Sequence, residues 1–448
     1  MIDRSAGWIA ASAGGELVAG DPEAAGPERA VVDSRTLRPG DLFVGVAGHH
    51  VDGGEFAEQA LAADAWGALV APAHAETLAA TGRDRARPPA VIAVESPGLA
   101  LAALARAWRR ELDCPAVGVT GSTGKTSTKD ILAALLAPHL RAHANRENLN
   151  TEIGLPLSLL EAERGTEALV LEMAMRGAGQ IAELVAIAEP QVGVVVNVGP
   201  VHLELMGTIE GVAAAKAELI RDLPAGAACV VPAGEPALAG HLREDLDTIA
   251  FGPGGDVSLV SFQAGRAEID ARGERVTLEL PYDQPHNLTN TVAAVAAAVA
   301  LGVAPSGRVE PRFSALRGEI VELPGPVTVI NDCYNANPMS MKAALDYLTA
   351  VPAGRSIAVL GGMAELGPDA DRFHRAIGAH ANDAGVDVLV AVGELGLGYA
   401  SAFDGETYPV ATAEEAGSLL DELSTPGDRV LIKGSRSAGL ERVLGALG

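Results

Sequence analysis

Aromatic side chains are scarce in this sequence, at 3% of 448 residues, so its cores have to be assembled from Ala, Val and Leu. Lysine is scarce too. Lys125, Lys129, Lys216, Lys342 and Lys433 are the only lysines among 33 basic residues. Arg cannot act as a compact point charge or become a neutral nucleophile, whereas Lys does both, so each lysine carries a chemical reading beside the plain one of codon bias. Cysteine is limited to Cys114, Cys229 and Cys333, an odd, scattered trio without metal-ligand spacing, which fits a reducing cytosol. No uninterrupted apolar run is long enough to span a bilayer and no signal peptide opens the chain, so a cytoplasmic protein is expected. Positive charge is short as well. With a formal net charge of −25, neither nucleic acid nor an anionic membrane is an expected partner, since both demand a basic surface. A phosphorylated substrate would have to be held by local devices.

What is present is an ordinary globular composition, 48% apolar and 20% charged, in a chain too long for one typical domain. Three α/β domains are expected, at 1–95, 96–307 and 308–448. The first holds short apolar strands at Asp41–Val46 and Ala68–Val70, with a helical stretch, Gly54–Ala63, between them. It closes at the Arg- and Pro-rich piece Arg83–Pro89, which reads as a boundary or surface loop. The middle block carries buried parallel-strand runs at Ala116–Thr120, Ala168–Glu172 and Val192–Val196. From Val257 to Leu280 the pattern turns to alternation, predicting antiparallel strands, and an Ala/Val helix, Leu288–Leu301, follows. The third block alternates strands at Val327–Ile330, Ser356–Leu360, Val386–Val392 and Arg429–Ile432 with helices, the pattern of a second doubly wound, Rossmann-like sheet.

Gly118–Thr126 reads GVTGSTGKT between a strand and a helix starting near Thr126. Backbone N–H groups in such a Gly-rich turn, here Gly121, Ser122, Thr123, Gly124, Lys125, Thr126 and Ser127, cradle phosphates at the positive end of the helix. Lys125 would neutralise the terminal phosphates and the Thr126 hydroxyl would ligate Mg²⁺. Val119 stands where the strict pattern has a further Gly. Glu172 ends the run ALVLE at the carboxyl edge of a strand, where a carboxylate completes a magnesium shell; an N-cap or solvated strand end is the plain alternative. His202 follows the next strand, and a lone His is more often structural than a ligand. Lys216, in GVAAAKAELI, reads on local grounds as a surface or snorkelling lysine. A phosphate loop by itself is compatible with a kinase, motor, switch or ligase.

With these residues in hand, the chain resembles the Mur ligase family along nearly its whole length. TGSTGKT resembles the family's ATP loop. NLNTEIGLP, residues 148–156, resembles its Asn-rich substrate segment, and EMAMRGAGQI and NVGPVHLELMG its metal region. AAAKAEL carries Lys216 where the family has a carbamylated lysine. DSRTLRPGDLFVGVAG resembles the UDP-binding front of members acting late in the pathway. NDCYNANPMSM, VLGGMAELG and LIKGSRSAGLERV resemble the branch that adds D-alanyl-D-alanine. The chain departs from the usual residues at Thr151, Ala174, Asn331, Cys333 and Gly362.

The resemblance implies a UDP-precursor-binding domain, a central ATP-binding domain and a C-terminal domain for the amine. It implies an ATP-dependent ligase joining D-alanyl-D-alanine to the terminal carboxylate of UDP-N-acetylmuramoyl-tripeptide through an acyl phosphate, in cytoplasmic peptidoglycan precursor synthesis. Lys125, Thr126, Glu172, His202 and a carbamylated Lys216 become the phosphate-and-metal set, with two Mg²⁺ ions, and Arg317 faces the γ-phosphate. Asn287 and Asn290 match contacts to the base and Asp332 a ribose contact. Ser34 and Arg35 match contacts to the uridine diphosphate. Asn150, Thr151, Tyr334, Asn335 and Asn337 fall to the substrates, and Lys433, Ser435 and Arg436 to the incoming dipeptide or acyl intermediate. Asn337 and its neighbours also suit a plain turn. A monomer binding only small molecules is expected. Two rivals stand beside this reading: a Mur-type ligase with another amine, which the absence of an Asp-Asn-Pro-Arg motif disfavours, and a P-loop kinase or NTPase, which leaves the first block and the YNANP and KGSRS runs unexplained.

Overall fold

The computed structural model describes residues 4–445 apart from 49, 82–87, 147, 324, 326, 352 and 353. The Arg- and Pro-rich boundary piece therefore falls largely outside the described residues. Three sheets organise the rest. The first has the order Glu16–Ala19, Ala90–Ala93, Gly67–Val70, Leu42–Val44, Ala30–Val31; only the Glu16–Ala19 edge is antiparallel. The expected helix at 54–63 is a 3₁₀ turn, Gly53–Phe56, running into an α-helix, Ala57–Ala62.

The central sheet has ten strands. Its parallel part runs Ala142–Ala144, Ala168–Glu172, Ala116–Thr120, Val192–Val195, Ala228–Pro232, Asp247–Phe251. The five residues Ala116–Thr120 are all buried, because a strand covered by helices on both faces can be apolar throughout. The alternating stretch forms three strands, Val257–Gln263, Arg266–Ala271 and Glu274–Glu279, paired antiparallel as expected. Gly307–Arg308 pairs at the sheet's far edge and straddles the expected boundary at 308, so the link to the third sheet runs over 309–318. The helix Pro285–Ala300 starts earlier than the Ala/Val pattern alone suggested, with Pro285 in its first turn. Its small side chains let it lie close beside the helix Lys125–Leu136.

The third sheet runs Glu319–Leu323, Val327–Asn331, Arg429–Lys433, Ser356–Gly361, Val388–Val392, Glu406–Val410, parallel except for its first strand. The cores are overwhelmingly aliphatic. One cluster joins the first and central sheets through the helix Pro97–Leu112, with Ile9, Leu42 and Ile92 packed with Leu101, Trp108 and Leu171. No helix of the described residues is long and apolar enough to cross a membrane.

Ala116–Thr120 sits between Ala168–Glu172 on one side and Val192–Val195 on the other. The chain reverses its direction of winding there, and such a switch point opens a crevice at the carboxyl ends of the strands. The loops after all three strands empty into it.

Candidate active site at the phosphate loop

The loop 121–124 leaves the central strand with Gly121 at φ +158° and Gly124 at φ +74°. Gly124 has no room for a side chain, since a Cβ there would lie 2.5 Å from Asn290 Oδ1 on the long Ala-rich helix. Asn197, just past the strand Val192–Val195, stitches the loop from the other side. Its Oδ1 accepts from the amides of Ser122 (3.0 Å) and Thr123 (2.9 Å), and its Nδ2 donates to Thr123 O (3.2 Å) and Oγ1 (2.9 Å). The Ser122 hydroxyl and Gly199 are joined through Gly199 N–H (2.9 Å) and Gly199 O (3.1 Å). Two of the expected phosphate-cradling amides are thus engaged within the protein. Those of Lys125, Thr126 and Ser127 lie in the first helical turn, where the helix has no acceptor for them.

Thr126 donates its hydroxyl to Glu172 Oε2 at 2.7 Å, and Asn150 Nδ2 donates to Glu172 Oε1 at 2.8 Å. Asn145 fixes the backbone of Glu172 by accepting from its N–H (2.7 Å) and donating to its carbonyl (3.0 Å). Thr151 lies one residue from Asn150, and its carbonyl accepts from Leu155 N–H at 2.8 Å as the helix Gly154–Glu161 begins.

Lys125 and Lys216 both donate to the same carbonyl, Gly121 O, each at 2.9 Å. Lys216 is the last residue of the helix Ile209–Lys216 and is only 2% exposed, so the surface position read on local grounds alone does not hold. Burial, and then the charge of Lys125, push its pKa well below the lysine range. Burial also lowers Lys125; Glu172 opposes that and Arg317 adds to it. Two amines share one acceptor without a carboxylate on Lys216, which favours a neutral amine there.

His202 stands at φ +52° ahead of the short helix Leu203–Met206, and its Nδ1 faces Glu365 from the third domain. Burial lowers its pKa against the pull of Glu365, with Lys125 and Lys216 adding to the lowering. Arg317 follows Leu316, itself at φ +64°. Its guanidinium lies 4.1 Å from the ring centre of Tyr334, and its Nε is buried with no partner among the described residues.

Asn287 and Asn290 are buried, joined by a bond from Asn290 Nδ2 to Asn287 Oδ1 (3.3 Å). His286 beside them feels the charges of Asp332 and Lys433. Lys433 is 1% exposed and donates to Asp332 Oδ2 (2.5 Å), Asp332 O (3.3 Å) and Asn335 O (3.1 Å). Its ammonium therefore ties the loop 332–335 together. Asn337 caps the helix Pro338–Thr349 in a capping box with Ser340. Ser435 is buried and accepts from Ala364 N–H at 2.8 Å, whereas Arg436 is exposed near Glu441. Ser34 and Arg35 form a 3₁₀ turn capped by Asp33. Arg35 pairs with Asp33 at 2.7 Å and holds that carboxyl at about 2. Among the described residues this first-domain turn makes no hydrogen bond to the phosphate-loop cluster.

Asn197, Asn145 and Glu365 were not singled out from the sequence. The available signal for Asn197 was an Asn one residue past an apolar strand, at the same level as the phosphate loop.

This arrangement has counterparts. Family models match in chain order: "Mur ligase family, catalytic domain" over residues 31–109, "Mur ligase middle domain" over 119–298, and "Mur ligase, glutamate ligase domain" over 316–436. The UDP-N-acetylmuramoyl-tripeptide–D-alanyl-D-alanine ligase of Bacillus subtilis is 33% identical, across 99% of this chain and 98% of its own. The chain belongs to the Mur ligase family. A Mycobacterium tuberculosis Mur ligase of the same name is 36% identical, with 100% and 98% covered. Among solved Mur ligases, MurF from Acinetobacter baumannii superimposes with a TM-score of 0.85 at 26% identity, covering 99% and 98% of the two chains. MurF ligase from Thermotoga maritima in complex with ADP gives 0.79 at 32%, covering 94% and 96%. The three-domain α/β fold of this chain is that of the Mur ligases.

Proposed function

We propose that this chain is an ATP-dependent ligase that joins D-alanyl-D-alanine to the terminal carboxylate of UDP-N-acetylmuramoyl-tripeptide in peptidoglycan precursor synthesis. Its relatives carry that name over almost the full length of both chains, and a similar solved protein holds ADP. The observation that carries the reading is the convergence of Lys125, the Thr126–Glu172 pair, Lys216 and Arg317 on one crevice, because activation of a carboxylate by ATP requires charge neutralisation at one point. The γ-phosphoryl group passes to a carboxylate oxygen and ADP leaves. The dipeptide's amine then attacks the acyl carbon, phosphate departs with the bonding pair, and the nitrogen loses a proton. Lys125 and Arg317 offset the negative charge that spreads over the transferring group, and domain docking keeps water from the acyl phosphate.

The Thr126 hydroxyl and Glu172 carboxylate are hard oxygens of the type magnesium takes, and they would hold one Mg²⁺. Among the described residues no group of three His, Cys, Asp or Glu forms a metal cluster, so a second ion needs another anion. Lys216 fits that need: its neutral amine would add to CO₂, forming a carbamate and releasing a proton, and with His202 would hold the second Mg²⁺. Bound Mg²⁺ would supply further neutralisation of the phosphates. Asn287, Asn290 and Asp332 are proposed for the nucleoside, and Ser34 and Arg35 for the uridine diphosphate. Asn150, Thr151, Tyr334, Asn335, Asn337, Ser435 and Arg436 are proposed for the peptide substrates, with Lys433 holding their loop. We place the reaction in the cytoplasm, in keeping with three free cysteines, and propose a monomer with domains near 1–95, 96–308 and 309–448.

The test is phosphate release from UDP-muramoyl peptides crossed with candidate amines. ADP and phosphate should accumulate only when tripeptide precursor and D-alanyl-D-alanine are both present. A single amino acid as the only productive amine would refute the dipeptide assignment.

A further inference from the structure

Eight non-glycine residues have positive φ among the described residues. Several mark ordinary chain reversals: Asp113 and Glu189 end helices, and Ala264 and Arg272 turn hairpins. His202 and Glu365 are different. They lie on loops of different sheets, both in the left-handed region, and their side chains meet.

The loop carrying Glu365 follows the strand Ser356–Gly361 and is held from several sides. Tyr399 donates its hydroxyl to Gly361 O (2.8 Å) and Ser435 N–H donates to Gly362 O (3.0 Å). The amides of Met363 and Ala364 donate to His374 Nε2 (2.9 Å) and Ser435 Oγ (2.8 Å). His374 is buried, with Nδ1 on Ala370 O at 2.6 Å, which fixes its own orientation. From this base Glu365 reaches the central domain three ways: its carboxylate on His202 Nδ1, its Oε1 at 3.6 Å from Arg176 Nε, and its carbonyl accepting from Glu204 N–H at 3.3 Å. A left-handed residue with a side chain persists only where its surroundings over-determine it, and such residues gather at functional sites.

We infer that Glu365, presented by the third domain, is a positioning residue for His202. The inference rests on the ligase reading for the importance of His202. An ionised carboxylate only accepts hydrogen bonds, so the nitrogen facing it carries a proton and Nε2 is left as the ring's lone-pair nitrogen. The partner of a functional histidine fixes tautomer and ring angle in this way, and its loss typically costs about 10- to 100-fold in activity. Arg176 balances the second carboxylate oxygen.

The experiment compares full-length wild type, Glu365→Ala and Glu365→Gln. Turnover of Glu365→Ala should fall about 10- to 100-fold with the KM for the UDP-linked precursor little changed, since the loss is of alignment rather than ground-state binding. Glu365→Gln keeps an acceptor oxygen and should recover most of that loss. Wild-type turnover in Glu365→Ala, or equal impairment in both variants, overturns the proposal. A substrate-free arm reads the tautomer by ¹⁵N-histidine NMR, the His202 signal being identified by its disappearance in His202→Gln. Wild type should carry the proton on Nδ1 and Glu365→Ala should shift toward the Nε2–H form; a wild-type Nε2–H tautomer overturns the contact's role. Should wild type ligate no tested pair, the ligase reading fails, and the NMR arm alone decides for or against Glu365.

Discussion

Removing the Asn197 side chain strips the phosphate loop of four hydrogen bonds, two accepted from Ser122 and Thr123 and two donated to Thr123. The Ser122 amide keeps one partner, because it also donates to the Asn197 backbone carbonyl at 3.1 Å. A net value of about 1 kcal/mol per bond, partly replaced by water at the half-buried Thr123, gives a loss of about 2–3 kcal/mol for Asn197→Ala. At about 2–4 °C per kcal/mol for a domain of this size, the melting temperature should drop by about 4–12 °C. If roughly half of the loss falls on the ordering of the loop for nucleotide, ATP binding should weaken about tenfold. Asn197→Asp separates the two effects. It keeps acceptors for both amides, so it should melt closer to wild type, but it adds a negative charge beside the phosphates and should bind ATP more weakly than Asn197→Ala. Differential scanning calorimetry and isothermal titration with ATP measure both quantities. Unchanged melting and ATP affinity in Asn197→Ala would show that the loop holds itself. Equal ATP losses in the two variants would refute the charge argument.

Lys125→Ala should lower turnover by at least ~100-fold by removing a partner of the transition-state charge; near-normal steady-state turnover in a folded variant would remove the phosphate loop from the mechanism. Lys216→Ala should be nearly inactive and partly rescued by a short carboxylic acid, whereas Lys216→Arg, which keeps a cation and forms no carbamate, should not restore activity. A fully active Lys216→Arg enzyme ends the carbamate proposal. Burial lowers the pKa of His143, His202, His286 and His374 below the ordinary value of 6.5. The unfolded chain then binds more protons in acid, so the histidine contribution is fully present above 6.5 and is lost as pH falls through that value toward the folded pKa. Melting temperature should therefore decline from about pH 7 to pH 5, and a flat profile over that range would contradict it.

Legibility in the sequence followed locality. Ala116–Thr120 and Ala168–Glu172 could be read to the residue because a doubly covered strand is a short apolar run, ended here by Thr120 and Glu172. The hairpins between Val257 and Glu279 announced themselves by alternation. Ala142–Ala144 is a three-residue edge strand with no period to detect, and Ala228–Pro232 and Asp247–Phe251 passed without a signal that separated them from their surroundings. Within the site, Lys125, Thr126 and Glu172 sit at strand ends and helix starts, where position alone suggests chemistry. Lys216 looked like a surface residue because its neighbours are alanines; its burial is made by the loop at Gly121, far away in the sequence. Asn197 and Glu365 act only through partners from other segments, and no local pattern encodes those partners. Asn337 shows the reverse case, a residue whose plain turn-forming use is visible as a helix cap.

The close seat of Asn290 against Gly124 has a consequence for synthesis of the chain. A polypeptide emerging from the ribosome exposes the phosphate loop early, then Glu172, Asn197 and Lys216, but the wall formed by Asn287 and Asn290 comes only after three antiparallel strands have been made. Arg317 and Glu365 arrive later still. Contacts of such sequence separation form slowly, because loop closure must precede them, and domains generally fold in order as they emerge. A nascent chain halted before residue 285 would carry the phosphate loop without the Asn290 side chain that packs against Gly124, so the final seating of that loop should be a late event in biogenesis, following the three antiparallel strands of the central sheet.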